Sequence, residues 1–122
     1  MALNAEVAID RLKRLVARAG LPEVEDSTSH GSACLRVRGK IFASVRDEEN
    51  GVHFCPLEQK DFLLKVSPAI YWQTDHFKGW PAVTVRLDVI GDDELTQRLV
   101  QAWRHTAPKR LAAAYDATRQ PT

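Results

Sequence analysis

Ala33-Cys34-Leu35-Arg36-Val37-Arg38-Gly39-Lys40-Ile41-Phe42-Ala43-Ser44-Val45-Arg46 alternates side chains on both sides of a single glycine. Ala33, Leu35 and Val37 interleave with Cys34, Arg36 and Arg38, and beyond Gly39 the residues Ile41, Ala43 and Val45 interleave with Phe42, Ser44 and Arg46. A period of two places each set on its own sheet face, and two such runs joined at glycine predict a β-hairpin. Asp47-Glu48-Glu49-Asn50-Gly51 reads as a turn, and Val52 to Cys55 as a third strand, which makes an antiparallel meander.

Downstream, Pro56 opens a predicted helix over Leu57 to Val66, with Phe62, Leu63 and Val66 on one side, and Ser67-Pro68 stops it. A short aromatic strand, Ile70 to Gln73, is followed by an irregular loop from Thr74 to Pro81 and a strand from Ala82 to Val89. Asp92 is positioned to cap a helix whose stripe is Leu95, Leu99, Ala102 and Trp103, and Pro108 kinks or restarts it into Leu111 to Tyr115. Upstream, Asn4 caps a helix striped by Ile9, Leu12, Val16 and Ala19, with Arg11, Lys13, Arg14 and Arg18 opposite, and Gly20 then Pro22 end it. Pro22 to Gly31 is polar and acidic and reads as a loop.

The order α-β(3)-α-β(2)-α without βαβ units predicts an α+β, two-layer domain with helices on one face of an antiparallel sheet. Residues 1–117 form this single domain and 118–122 a frayed tail. With the Val and Leu sides facing the helices, the open face carries Arg36, Arg38, Phe42, Ser44, Arg46, His53, Cys55, Thr84 and Arg86.

The chain has 122 residues, 44% hydrophobic and 27% charged, a globular composition with no apolar run of about 20 residues to span a membrane. The N-terminus lacks a signal-like basic and apolar pair of regions, so the expected compartment is the cytoplasm, where Cys34 and Cys55 stay reduced. His53 and Cys55 share a strand face, but neither CxxC nor HxxxH occurs, and no metal or other cofactor is expected. Phosphate-cradling and hydrolase motifs are also absent, so no residue is assigned a catalytic role and the protein is read as non-enzymatic.

The net charge is only +1, so nucleic-acid affinity requires charge segregation. Between Arg98 and Arg119 the cations Arg98, Arg104, Lys109, Arg110 and Arg119 face a single acid, Asp116, and the hairpin carries Arg36, Arg38, Lys40 and Arg46. The 76–80 loop interleaves His76, Phe77 and Trp80 with Lys78, the composition of a ligand or partner loop.

Thr74-Asp75-His76-Phe77-Lys78-Gly79-Trp80-Pro81-Ala82-Val83, Val85-Arg86-Leu87, Asp93-Glu94-Leu95, Ala102-Trp103-Arg104 and Ala107-Pro108-Lys109-Arg110-Leu111 together resemble the MmcQ/YjbR family. Leu21-Pro22-Glu23-Val24-Glu25 and the hairpin extend the resemblance to roughly Val7–Ala114. It implies a fold similar to secretion-chaperone and CyaY-like domains and DNA binding by a "double wing". The expected contacts are to duplex phosphates from Arg36, Arg38, Lys40, Arg46, Lys78, Lys109 and Arg110. The alternative is a protein- or small-ligand-interaction module built on His76, Phe77, Lys78 and Trp80.

Overall fold

The computed structural model describes residues 5–29, 32–46, 51–54, 60–72 and 83–119. Helix α1 spans Ala5–Ala19, followed by strands β1 (Val24–Ser29), β2 (Ser32–Val37), β3 (Lys40–Arg46) and β4 (Gly51–Phe54). Helix α2 (Lys60–Val66), strands β5 (Tyr71–Trp72) and β6 (Val83–Arg86), and helices α3 (Asp92–Thr106) and α4 (Lys109–Arg119) complete the order. The six strands form one antiparallel sheet ordered β1-β2-β3-β4-β6-β5. The α+β class and antiparallel sheet agree with the sequence reading. The Asn4 cap, the Asp47–Asn50 part of the turn, and the predicted start of α2 at Pro56–Gln59 lie outside the described residues.

Several expectations need correction. Residues 24–29, read as loop, are strand β1, paired along its length with β2. As an edge strand it takes its order from backbone pairing, and charged or hydroxylated side chains are ordinary there, so it shows no apolar alternation. Second, the strand read as Ala82 to Val89 ends at Arg86, and Leu87–Val89 turn towards α3. Third, α2 buries Leu63 but leaves Phe62 and Val66 exposed.

The hairpin register explains one exchange of faces. Leu35 pairs with Ala43 but Arg36 pairs with Ile41, leaving Phe42 as an extra residue on β3. This bulge turns Phe42 into the core beside Ala43 and leaves Ile41 opposite Arg36, the reverse of strict alternation.

Between the sheet and its helices lie Leu12, Leu15, Leu35, Val37, Phe42, Val45, Val52, Phe54, Val85, Leu95, Leu99 and Trp103, all buried. Helices α1 and α3 pack against each other and on the sheet. Gly20, at φ 71°, ends α1 with Gly20 N–H donating to Ala17 O (3.1 Å) and Leu21 N–H to Val16 O (3.2 Å), a Schellman closure that only a residue tolerant of the left-handed region makes readily. Helix α4 restarts after Pro108, and Tyr115 returns to α1 by donating to Ala19 O at 2.8 Å. The Tyr115 ring meets Trp103 edge-to-face, with centroids 5.1 Å apart at 61°.

Arg11 is not on a solvated face. Its side chain is only 20% exposed. Nε donates to Asp92 Oδ1 at 2.8 Å, Nη1 to Leu87 O at 2.7 Å and Nη2 to Ile90 O at 2.8 Å. Asp92 is therefore the first residue of α3 and a partner of α1, not its cap; the cap position is Gly91, with no side-chain hydrogen bond.

Arg11→Met retains the aliphatic stem but leaves the two carbonyls without these donors, and should lower stability by roughly 2 to 3 kcal/mol in urea denaturation. Asp92 titrates below its ordinary 3.8, chiefly because Arg11 hydrogen-bonds to the charged form. The folded state then binds fewer protons than the unfolded chain, so the stabilisation is complete above the unfolded value and fades as pH falls below about 4. Asp92→Asn should flatten that acid limb in pH-dependent melting; an unchanged limb would count against the Arg11–Asp92 pair as its source.

Candidate phosphate-contact surface

The β2–β3 turn places Arg38 and Gly39 at φ 51° and 82°, the positive values a two-residue hairpin turn uses. Glu23 also has a positive φ, 58°. Arg38 grips Glu23 with both sides of its fork: Nε to Oε1 at 2.5 Å and Nη2 to Oε2 at 3.0 Å. This pair locks the α1–β1 corner onto the hairpin turn. Its neighbour Pro22 accepts a hydrogen bond from Trp103 Nε1 at 3.2 Å, which brings the end of α3 to the same end of the molecule.

The hairpin cations therefore divide. Arg38 is engaged by a carboxylate, which its guanidinium in turn holds below the ordinary 4.5 by hydrogen bonding to it. Arg36 is half-buried and donates to Ser27 Oγ and Gly39 O, both at 3.0 Å. Lys40 is exposed and has no carboxylate partner among the described residues. Arg46 lies at the end of β3, and its side chain lies outside what the structure describes.

At the elbow between α3 and α4, Lys109 and Arg110 are exposed in the first turn of α4, likewise without a carboxylate partner among the described residues. Arg104 is paired with Asp116, Nη2 to Oδ2 at 2.8 Å. The structure thus brings the hairpin turn and the elbow to one end of the molecule, but engages Arg36, Arg38 and Arg104 internally. Lys78 and the loop residues His76, Phe77 and Trp80 lie outside the described residues, as does Cys55.

Among the described residues, the sheet face away from α1 and α3 is not the open basic surface expected. Phe42 has left it for the core, and Thr84 and Cys34 are buried. The Arg86 guanidinium sits 5.6 Å from the centre of the Trp72 ring, a cation–π contact that occupies another of the expected surface cations. Among the described residues no three His, Cys, Asp or Glu side chains group as a metal site. No helix among them is long and apolar enough to cross a membrane.

Sequence reasoning missed several polar contacts. Tyr71, buried against α3, donates its hydroxyl to Glu94, and burial together with that carboxylate pushes the phenol well above its ordinary value. Arg98, counted as a surface cation, is 8% exposed, lies 5.9 Å from the centre of the Tyr71 ring and donates to Gln101 Oε1 at 2.6 Å. Gln101, Arg104 and His105 at i, i+3 and i+4 were a legible signal of one helix face, because those positions adjoin on a helix surface.

The YjbR family model matches residues 19–105 of this chain. An uncharacterised protein of Mycobacterium bovis and two uncharacterised proteins of Mycobacterium tuberculosis strains are each 38% identical over 71 residues, 58% of this chain and 50% of theirs. The chain thus matches over about half the length of these curated relatives. No solved structure matches it significantly.

The Arg38 fork should hold its Nε–H against exchange. A slowly exchanging Arg38 Nε–H resonance is expected at neutral pH and should be absent at pH 7 in Glu23→Gln. An identical resonance in Glu23→Gln would show that the pair does not form in solution.

Proposed function

The chain belongs to the YjbR family, and from its exposed cations we propose that it is a small non-enzymatic protein that binds duplex DNA weakly, through phosphate contacts rather than base readout. The observation that carries this reading is the set Lys40, Lys109 and Arg110, exposed and without a carboxylate partner among the described residues, at the end that holds both the hairpin turn and the α3–α4 elbow. Ammonium and guanidinium groups of this kind release condensed counterions when they meet phosphates, which yields affinity without sequence information. The "double wing" DNA binding implied by the family resemblance agrees with a hairpin and a helical elbow as contact elements.

Weakness follows from the same geometry. Glu23 occupies the Arg38 fork and Asp116 partly neutralises Arg104 through one nitrogen, so the positive charge offered to DNA is reduced before it arrives. With a net charge of +1, no large field steers the encounter. The alternative reading is a protein- or small-ligand-interaction module on the loop of His76, Phe77, Lys78 and Trp80.

Fluorescence anisotropy of a labelled duplex should report salt-sensitive binding that weakens steeply between about 50 and 200 mM salt. The Lys40→Ala, Arg110→Ala double variant should bind less tightly and lower the slope of log K against log salt by up to about 2. Glu23→Gln, which frees Arg38, should bind more tightly than the parent chain. Absence of binding at 50 mM salt in both the parent chain and Glu23→Gln would exclude this function.

A further inference from the structure

The α3–α4 elbow encloses a cleft of about 430 Å³ lined by Gln101, Arg104, His105, Ala107, Lys109 and Ala112. That volume is within the ~300–1,000 Å³ range of small-molecule sites. The cleft exists because Ala107 is extended, at φ −66° and ψ 151°, and breaks the helix while its N–H closes onto Trp103 O. The turn of backbone splays Lys109 and Ala112 of α4 across from Gln101, Arg104 and His105 of α3.

We infer that this cleft is a binding site for a small phosphomonoester, with the phosphate held by Gln101, Arg104 and Lys109 and a compact apolar or ring-like body resting on Ala107 and Ala112. The donor pattern carries the inference. Arg98 Nη1 donates to Gln101 Oε1 at 2.6 Å, so the Gln101 carbonyl is consumed and its amide nitrogen is left as the donor group. Arg104 spends Nη2 on Asp116, which leaves Nε and Nη1 without a partner among the described residues. Lys109 adds a second full positive charge, and no carboxylate lines the cleft among the described residues.

An amide, a guanidinium and an ammonium lining one cleft, with no acid among its described lining, suit an acceptor-only anion. A phosphomonoester offers three terminal oxygens and close to two negative charges, against two oxygens and one charge for a carboxylate. Asp116, outside the lining but bonded to Arg104, sets the strength of the site: with its charge removed, the guanidinium turns wholly to the ligand. The site shares Lys109 with the duplex-DNA reading, which rests on Lys40 and Arg110 as well, and neither reading requires the other.

Phenyl phosphate titrated into the isotopically labelled full chain, followed by amide chemical shifts, tests the inference. Saturable shifts confined to residues 101–112 are expected, with benzoate at least tenfold weaker. Arg104→Gln should weaken phenyl phosphate at least tenfold, and Asp116→Asn should strengthen it several-fold. If Arg104→Gln fails to fold, Gln101→Leu removes a donor without breaking an ion pair and should also weaken binding. No saturable shift, shifts centred elsewhere, or affinity indifferent to both Asp116→Asn and Gln101→Leu would overturn the site. Failure of DNA to bind, with phenyl phosphate still saturating, would remove the DNA reading alone.

Discussion

The three-way grip of Arg11 joins parts of the chain about eighty residues apart. One guanidinium on α1 takes the carbonyls of Leu87 and Ile90 and the carboxylate of Asp92, fastening the first helix to the turn that leads from β6 into α3. A planar group with donors on fixed bearings suits this junction, because its three nitrogens meet three acceptors without rearrangement. Apolar burial supplies the larger driving force for stacking α1 and α3 on the sheet, but it is non-directional. The Arg11 junction specifies where α3 begins relative to α1.

From that junction the helical layer determines the opposite end of the molecule. Trp103, eleven residues beyond Asp92 on α3, reaches Pro22, and Tyr115 of α4 reaches the last residue of α1. These bonds hold the α1–β1 corner, the hairpin turn and the α3–α4 elbow at one end. The cations gathered there are tempered by acids from distant parts of the chain: Glu23 on Arg38 and Asp116 on Arg104. Exposed pairs of this kind add little to stability, but they determine which cations face solvent without a partner.

Much of the fold was legible because its signals are local. The hairpin, the stripe Leu95, Leu99, Ala102 and Trp103, the Gly20 stop and the restart at Pro108 each depend on neighbours within a few residues. Strand β1 was illegible because an edge strand needs only a partner's backbone, and its polar side chains carry no alternation. The Phe42 bulge was illegible for a related reason: one unpaired residue reverses the face of the side chains beyond it, and nothing in composition marks where it falls.

Cation positions divide along the same line. Local spacing was enough to place basic residues on the hairpin and on the last two helices, because strand alternation and helical periodicity are short-range properties of the chain. Which of them stay available was decided by tertiary structure alone: Arg11 is drawn inward by carbonyls some eighty residues away, Arg38 is gripped from fifteen residues away, and Arg98 is buried over Tyr71. A charge is written at one position in the sequence, but its partner is chosen by packing, and packing is a property of the whole sheet and its helices.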